Sequence, residues 1–493
     1  LSLRRQRQMC IRDSDSGVSS TDKVTNVGTL SLTGVETGAT VEYSTDGGAT
    51  WTSSFTAVEG ANAIQVRQKD VAGNISQAST FTFTLDTSAP VGVTLGLQTD
   101  SGLNGSDRVT NVGVVNVTGL ESGATWQYST NNGGSWTTGT GSSFTLTGDG
   151  AKSVLVRQTD AAGNRSVDST YTFTLDTTVA SPIIALSSDS GTSSTDKITN
   201  VGTVNVTGLE SGATWEYSTN NGGSWTTGTG SSFTVSGDGA KTVLVRQTDV
   251  AGNTSTATHT FTLDTTAAAP GIALTSDAGT SSTDRLTNVG TLSLTGVESG
   301  STVEYSTDSG VTWTSSFTAV EGANAVQVRQ TDVAGNLSQA STYTFTLDTS
   351  IPTTTVSTVT LSNDSGTSGT DFITNAATQT ISGVLGTALG ADEVVRVSLD
   401  NGVTWQTATA AAGDTTYTLS GVTLVSGSNT LRVRVEDAAG NANTALTQGY
   451  TLDTVASAPV VSLASDTGTS STDQITNVGT VNVTGLESGA TWQ

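Results

Sequence analysis

The sequence predicts an all-β chain of several small sandwiches in series, and three observations predict it. The first is self-similarity at a domain-sized period. T-L-D-T closes at Thr87, Thr177, Thr265, Thr349 and Thr454, and D-x-A-G-N or a near copy opens at Asp70, Asp160, Asp249, Asp332 and Asp437. Both series step by about 83 to 105 residues, the size of one sandwich and about twice that of a propeller blade. The second is composition: 56 glycines in 493 residues, 13% charged residues, and no apolar run long enough to cross a membrane. The third is patterning, short runs alternating at period two between turn clusters.

These landmarks divide the chain into repeats at 14–88, 89–178, 179–266, 267–350, a longer and more divergent 351–455, and a sixth at 456–493 that stops partway, as a fragment would. Residues 119–160 and 208–249 differ at only four of 42 positions, so those copies share a recent origin. The first thirteen residues, LSLRRQRQMCIRD, match nothing that follows. Met9 to Asp13 can be encoded by ATG TGT ATA AGA GAC, the transposon end used in sequencing-library preparation, so this segment is expected to be foreign. Cys10 is then no site, and no disulfide is available to stiffen the chain.

Taken in order through the third repeat, strands are expected at Ile183 to Leu186, Thr203 to Thr207, Thr214 to Ser218, Ser224 to Thr227, Ser232 to Val235, Lys241 to Gln247 and Thr258 to Leu263. Seven strands with turns at this spacing fit an immunoglobulin-like β-sandwich. The sequon Asn205-Val206-Thr207 falls on a strand. Trp215, Tyr217, Trp225, Phe233 and Phe261, with a few Val and Leu, are the expected core, small for a domain standing alone.

A net charge of −24 disfavours nucleic acid and anionic membrane surfaces as partners. His259 is the only histidine, expected exposed on a strand, which excludes a serine–histidine–aspartate site repeated in each domain and a histidine-rich zinc site. Ser44 to Trp51 reads S-x-D-x-G-x-T-W, with further matches at Ser306 to Trp313 and Ser398 to Trp405 and an asparagine version at 129–136 and 218–225. This motif resembles the Asp-box of sialidases and related propellers. It is a hairpin turn in which Asp or Asn satisfies backbone groups and the Trp is expected to face inward. Arg67, Arg157, Arg246 and Arg329 recur one per repeat, so they do not converge on one pocket.

The aspartates recur at the ends of the repeats. In the expected topology the acidic loop after the first strand lies at one pole with the end of the last strand, facing the D-x-A-G-N loop of the following repeat. The candidate metal ligands are therefore Asp15, Asp22, Asp86 and Asp160; Asp100, Asp107, Asp176 and Asp249; Asp189, Asp196, Asp264 and Asp332; Asp277, Asp284, Asp348 and Asp437; and Asp364, Asp371 and Asp453. Carboxylates crowded in loops repel unless a hard cation joins them, and calcium, with six to eight flexible oxygen positions, fits best.

D-x-A-G-N, then T-L-D-T, then loops such as S-D-S-G-T-S-S-T-D-K-I-T-N resemble the bacterial Ig-like repeats of giant biofilm-associated adhesins. The resemblance implies extender modules at the bacterial cell surface or outside the cell, often exported by a type I system and stiffened by calcium. Five sandwiches of about 40 Å would form a rod reaching about 200 Å. Its partners would be neighbouring repeats, with host or matrix glycans and proteins met by tip domains, and neither nucleic acid nor a membrane interior. The alternative is a multivalent glycan-binding array using Trp136 and Trp225.

Overall fold

The computed structural model describes residues 10–13 and 15–493. The chain forms two compact units, Leu1–Asp189 with Ser194–Leu263, and Ser190–Ser193 with Asp264–Gln493. All regular structure among the described residues is strand.

Repeat 3 contains β1 (Ile183–Leu186), β2 (Ile198–Thr199), β3 (Thr203–Thr207), β4 (Thr214–Ser218), β5 (Thr226–Thr227), β6 (Ser232–Thr234), β7 (Gly239–Thr248) and β8 (Thr254–Leu263). The sheets run β1-β3-β6 and β2-β8-β7-β4-β5. The seven expected strands form, and β2 joins them by pairing parallel with β8 through Ile198↔Thr262 and Thr199↔Leu263. Repeats 2 and 5 keep both sheet orders. In repeats 1 and 4 the route from the hairpin to the long strand is shorter, Trp51 to Gly60 against Trp136 to Gly150 in repeat 2. The hairpin there closes through single bridges, Tyr43↔Thr52 and Tyr305↔Thr314.

Period-two alternation sends Val243 and Val245 of β7, Phe261 and Leu263 of β8, Val204 and Val206 of β3, Trp215 and Phe233 into one core. Trp225 is not in it. The hairpin turns this ring onto the outer face, where the Arg246 guanidinium lies 4.3 Å from its centroid. At the head of repeat 1, Cys10–Asp13 pairs antiparallel with Leu30–Thr33, in the place that β1 holds in repeat 3. Ile11 packs against the core around Ile64 and Val66. The remainder of the segment expected to be foreign lies outside the described residues.

One buried side chain of β7 is polar. Gln247 is fully buried, accepts the Glu210 N–H at 3.1 Å and donates to the carbonyl of Ala180 in the inter-repeat linker. Gln158 bonds the Val91 carbonyl at 2.7 Å and Gln330 the Ala268 carbonyl at 2.7 Å in the same way. Removing such an amide strands a buried donor and acceptors, at a cost of about 1–3 kcal/mol. Gln247→Ala in the full chain is therefore expected to destabilise repeat 3 by about 2 kcal/mol. Hydrogen exchange of the β7 amides measures this, and unchanged exchange would rule out a structural role for the amide.

Candidate functional site

The site is the junction where one repeat meets the next. In unit 1 the Nδ2 of Asn164 donates to the Asp86 carbonyl at 2.7 Å, and that of Asn253 to the Asp176 carbonyl at 2.8 Å. In unit 2 Asn336 bonds the Asp264 carbonyl and Asn441 the Asp348 carbonyl, each at 2.8 Å. The D-x-A-G-N loop therefore faces the preceding repeat, as the sequence predicts. Within the loop, Asp249 holds Asn253 through its N–H at 2.8 Å and its Nδ2 at 2.7 Å. Asp160, Asp332 and Asp437 grip Asn164, Asn336 and Asn441 through the same pair of bonds.

Among the described residues two groups of carboxylates converge. Asp176, Glu210 and Asp249 offer oxygens all within 4.8 Å of one another, and so do Asp264, Glu298 and Asp332. Glu210 and Glu298 were not among the sequence candidates. They sit in the turns L-E-S-G and V-E-S-G, where their N–H groups bond Gln247 and Gln330 and their carboxylates accept the linker N–H of Ala180 and Ala268 at 2.6 and 2.8 Å. Their recurrence as Glu121, Glu210 and Glu298 was a usable signal. In repeat 5 Gly390 stands near that position, and Glu321, Asp348, Asp392 and Asp437 line one cleft instead.

The loop after the first strand contributes a separate group. Asp15, Asp100, Asp189, Asp277 and Asp364, with Asp466 of the sixth repeat, each bury one carboxylate oxygen, Oδ1, that makes no hydrogen bond. The other oxygen accepts the N–H eight residues on: Arg108 to Asp100, Lys197 to Asp189 and Arg285 to Asp277 at 3.0 Å, Phe372 to Asp364 at 2.9 Å, and Lys23 to Asp15 at 3.2 Å. Each of those donors sits at φ of 62 or 63°, a left-handed backbone that costs a non-glycine residue energy. Asp22, Asp107, Asp196, Asp284 and Asp371 instead cap the N–H two residues on, at 2.9–3.1 Å. Asp86, Asp176, Asp264, Asp348 and Asp453 make the same short cap at 3.0–3.3 Å.

The hairpins are a different construction. In repeat 4 Asp308 accepts Thr312 N–H at 2.9 Å, Thr312 Oγ1 at 2.6 Å and Ser306 Oγ at 2.8 Å. The Trp313 Nε1 donates to the Gly310 carbonyl, and Arg329 lies 3.9 Å from the Trp313 centroid while bonding Glu304. Arg67, Arg157 and Arg246 cover Trp51, Trp136 and Trp225 in the same way, and Arg434 covers Trp405. The inward Trp expected from the sequence is thus corrected: it is an outer-face ring with a guanidinium on one side. That cation occupies a face a sugar would need, which counts against the glycan-array alternative. His259 is half-buried rather than exposed. Its Nε2 is shut from solvent without a partner, and burial, then Lys197, holds its pKa below the ordinary value.

The class this geometry defines is a tandem array of all-β sandwiches joined head to tail through loops. The sequence profile of the bacterial Ig-like domain matches residues 7–87, 178–265, 266–349 and 350–454, and the chain belongs to that family. A solved tetra-tandem repeat from the extending region of a large adhesion protein is 20% identical over 74% of this chain and 100% of its own, with a TM-score of 0.21. A Ca2+-stabilized adhesin that helps an Antarctic bacterium reach out and bind ice is 25% identical over the same shares, with a TM-score of 0.24. The human desmocollin-1 ectodomain is 12% identical over 84% of this chain and 92% of its own, with a TM-score of 0.18. A comparison with curated proteins gives no match. Among the described residues no helix is long and apolar enough to cross a membrane.

The hydroxyl and N–H of Thr312 and Thr404, then Ser306 and Ser398, hold Asp308 and Asp400 down to about 2, and Asp46 is lowered by Thr50 and Ser44. Such depressed groups add stability above their ordinary 3.8 and lose it as pH falls through about 2. Asn131 and Asn220 make the equivalent bonds to Ser135 and Ser224 and do not titrate. Acidification from pH 4 to 2 is therefore expected to speed amide exchange at Thr50, Thr312 and Thr404 beyond the intrinsic pH effect, while Ser135 and Ser224 hold. Asp308→Asn should abolish the response at Thr312.

Proposed function

We propose that this chain is the extender stalk of a bacterial cell-surface or secreted adhesin, not an enzyme, and that calcium at the junctions stiffens it. The stalk holds a distal ligand-binding domain away from the cell for adhesion or biofilm formation. The observation that carries the calcium reading is the pair of carboxylate triads formed across consecutive repeats. At such separations each pair of charges repels by about 3–4 kcal/mol under near-surface screening, a cost a divalent cation reverses.

The recurring unpartnered oxygen on Asp15, Asp100, Asp189, Asp277 and Asp364 supports the same reading, because a buried carboxylate oxygen without a donor is costly and a hard cation satisfies it. Asp176, Glu210 and Asp249 would hold one ion and Asp264, Glu298 and Asp332 another. Backbone carbonyls and water would complete six to eight oxygens. An ion held by both repeats of a junction would resist bending there, since bending separates its ligands. Membership of the bacterial Ig-like family supports the stalk role.

Titration of the full chain with calcium after chelation tests the reading. Saturating calcium is expected to raise the melting temperature by roughly 5 °C and to narrow the distribution of end-to-end distances in small-angle scattering. Glu210→Gln with Asp249→Asn should remove part of the bound calcium and part of that shift. No bound calcium and no shift in either quantity would sink the metal sites. A compact particle in both conditions would sink the stalk itself.

A further inference from the structure

We infer that successive repeats are coupled by an order-blind lock of main-chain atoms, in which the D-S-G loop of one repeat receives the D-x-A-G-N apex of whichever repeat follows. The lock uses no carboxylate oxygen, so it operates with or without calcium and stands apart from the stiffening proposed above.

Four junctions carry it. A Cβ built on Gly17 would lie 2.2 Å from the Ala161 carbonyl oxygen, and one on Gly102 would lie 2.0 Å from that of Val250. On Gly191 and Gly279 it would lie 1.9 Å from the Val333 and Ala438 oxygens. Only glycine admits this approach. The residue after each glycine donates its N–H to that same oxygen: Val18 and Leu103 at 3.3 Å, Thr192 and Thr280 at 3.1 Å. Ser101 and Ser190 then bond the next carbonyl, of Ala251 and Ala334, at 2.8 and 2.9 Å. Where repeat 4 has Ala278 instead of that serine, the Asn288 N–H bonds the Ala439 carbonyl at 3.2 Å.

What is received is therefore backbone. The apex residue varies between Ala and Val, and its side chain is not what the lock holds. The divergent fifth repeat docks through Ala438 with the geometry that Val250 shows in a repeat nearly identical to its neighbour. This fits a chain whose copies are gained and lost as units, because a new neighbour meets the same atoms.

The test is run on the full chain in excess chelator, reading amide exchange. Gly102 and Gly366 both have positive φ, 102 and 118°, so Gly→Ala strains the backbone at either. A Cβ on Gly366 meets nothing closer than the Ile373 oxygen at 3.9 Å. Gly102→Ala is expected to lower protection of the Leu103 amide at least tenfold, while Gly366→Ala leaves all four junctions unchanged. Deleting residues 266–349, so that repeat 5 follows repeat 3, should preserve protection at Thr192. Unchanged Leu103 protection in Gly102→Ala would overturn the lock. Loss of Thr192 protection with the β7 amides of repeat 3 still protected would overturn its indifference to order.

Discussion

A buried amide has four hydrogen-bonding positions and little tolerance for leaving them empty, and in repeats 2, 3 and 4 that requirement organises the junction. Gln158, Gln247 and Gln330 stand on a ten-residue strand, reach across the end of the sandwich and hold the linker carbonyls of Val91, Ala180 and Ala268. The same amides hold the N–H groups of Glu121, Glu210 and Glu298. The linker and the glutamate turn are thereby fastened to one point. That fastening fixes where the Glu210 and Glu298 carboxylates stand at their junctions.

The strand carrying this amide divides its labour by alternation. In V-R-Q, Val245 enters the core, Arg246 lies outside over Trp225 and against Glu216, and Gln247 turns inward again. A chain with so few apolar residues has little to bury. Pairing a cation with an aromatic face on the outer surface adds about 0.5–1 kcal/mol per repeat without enlarging the core. The cost is a Trp whose ring is only half available to anything else.

The junction sets attraction against repulsion. Main-chain bonds between the D-S-G and D-x-A-G-N loops draw the repeats together, and in doing so bring Asp176 of one repeat toward Glu210 and Asp249 of the next. The acidic charge of the chain thus works against its own junctions. On the reading proposed above, a divalent cation would relieve that opposition without altering the backbone contacts, so position and stiffness would be separable properties.

The sequence by itself determined the repeat, the strands and the poles. Period-two alternation, turn residues and motif spacing are local signals, and they placed Asp176 and Asp249 at one junction before any coordinates. Residue order did not disclose which acids converge. Asp100 and Asp107 lie seven positions apart and part company, one burying a bare oxygen and the other capping a turn, while Glu210 reaches the junction from an unremarked loop. Nor did it show that Trp225 faces out or that Ile198 pairs with the last strand. These outcomes depend on atoms contributed by segments far apart in the chain. Hydrogen-bond geometry and close approach select among them only once both sheets, and the repeat beyond, are in place.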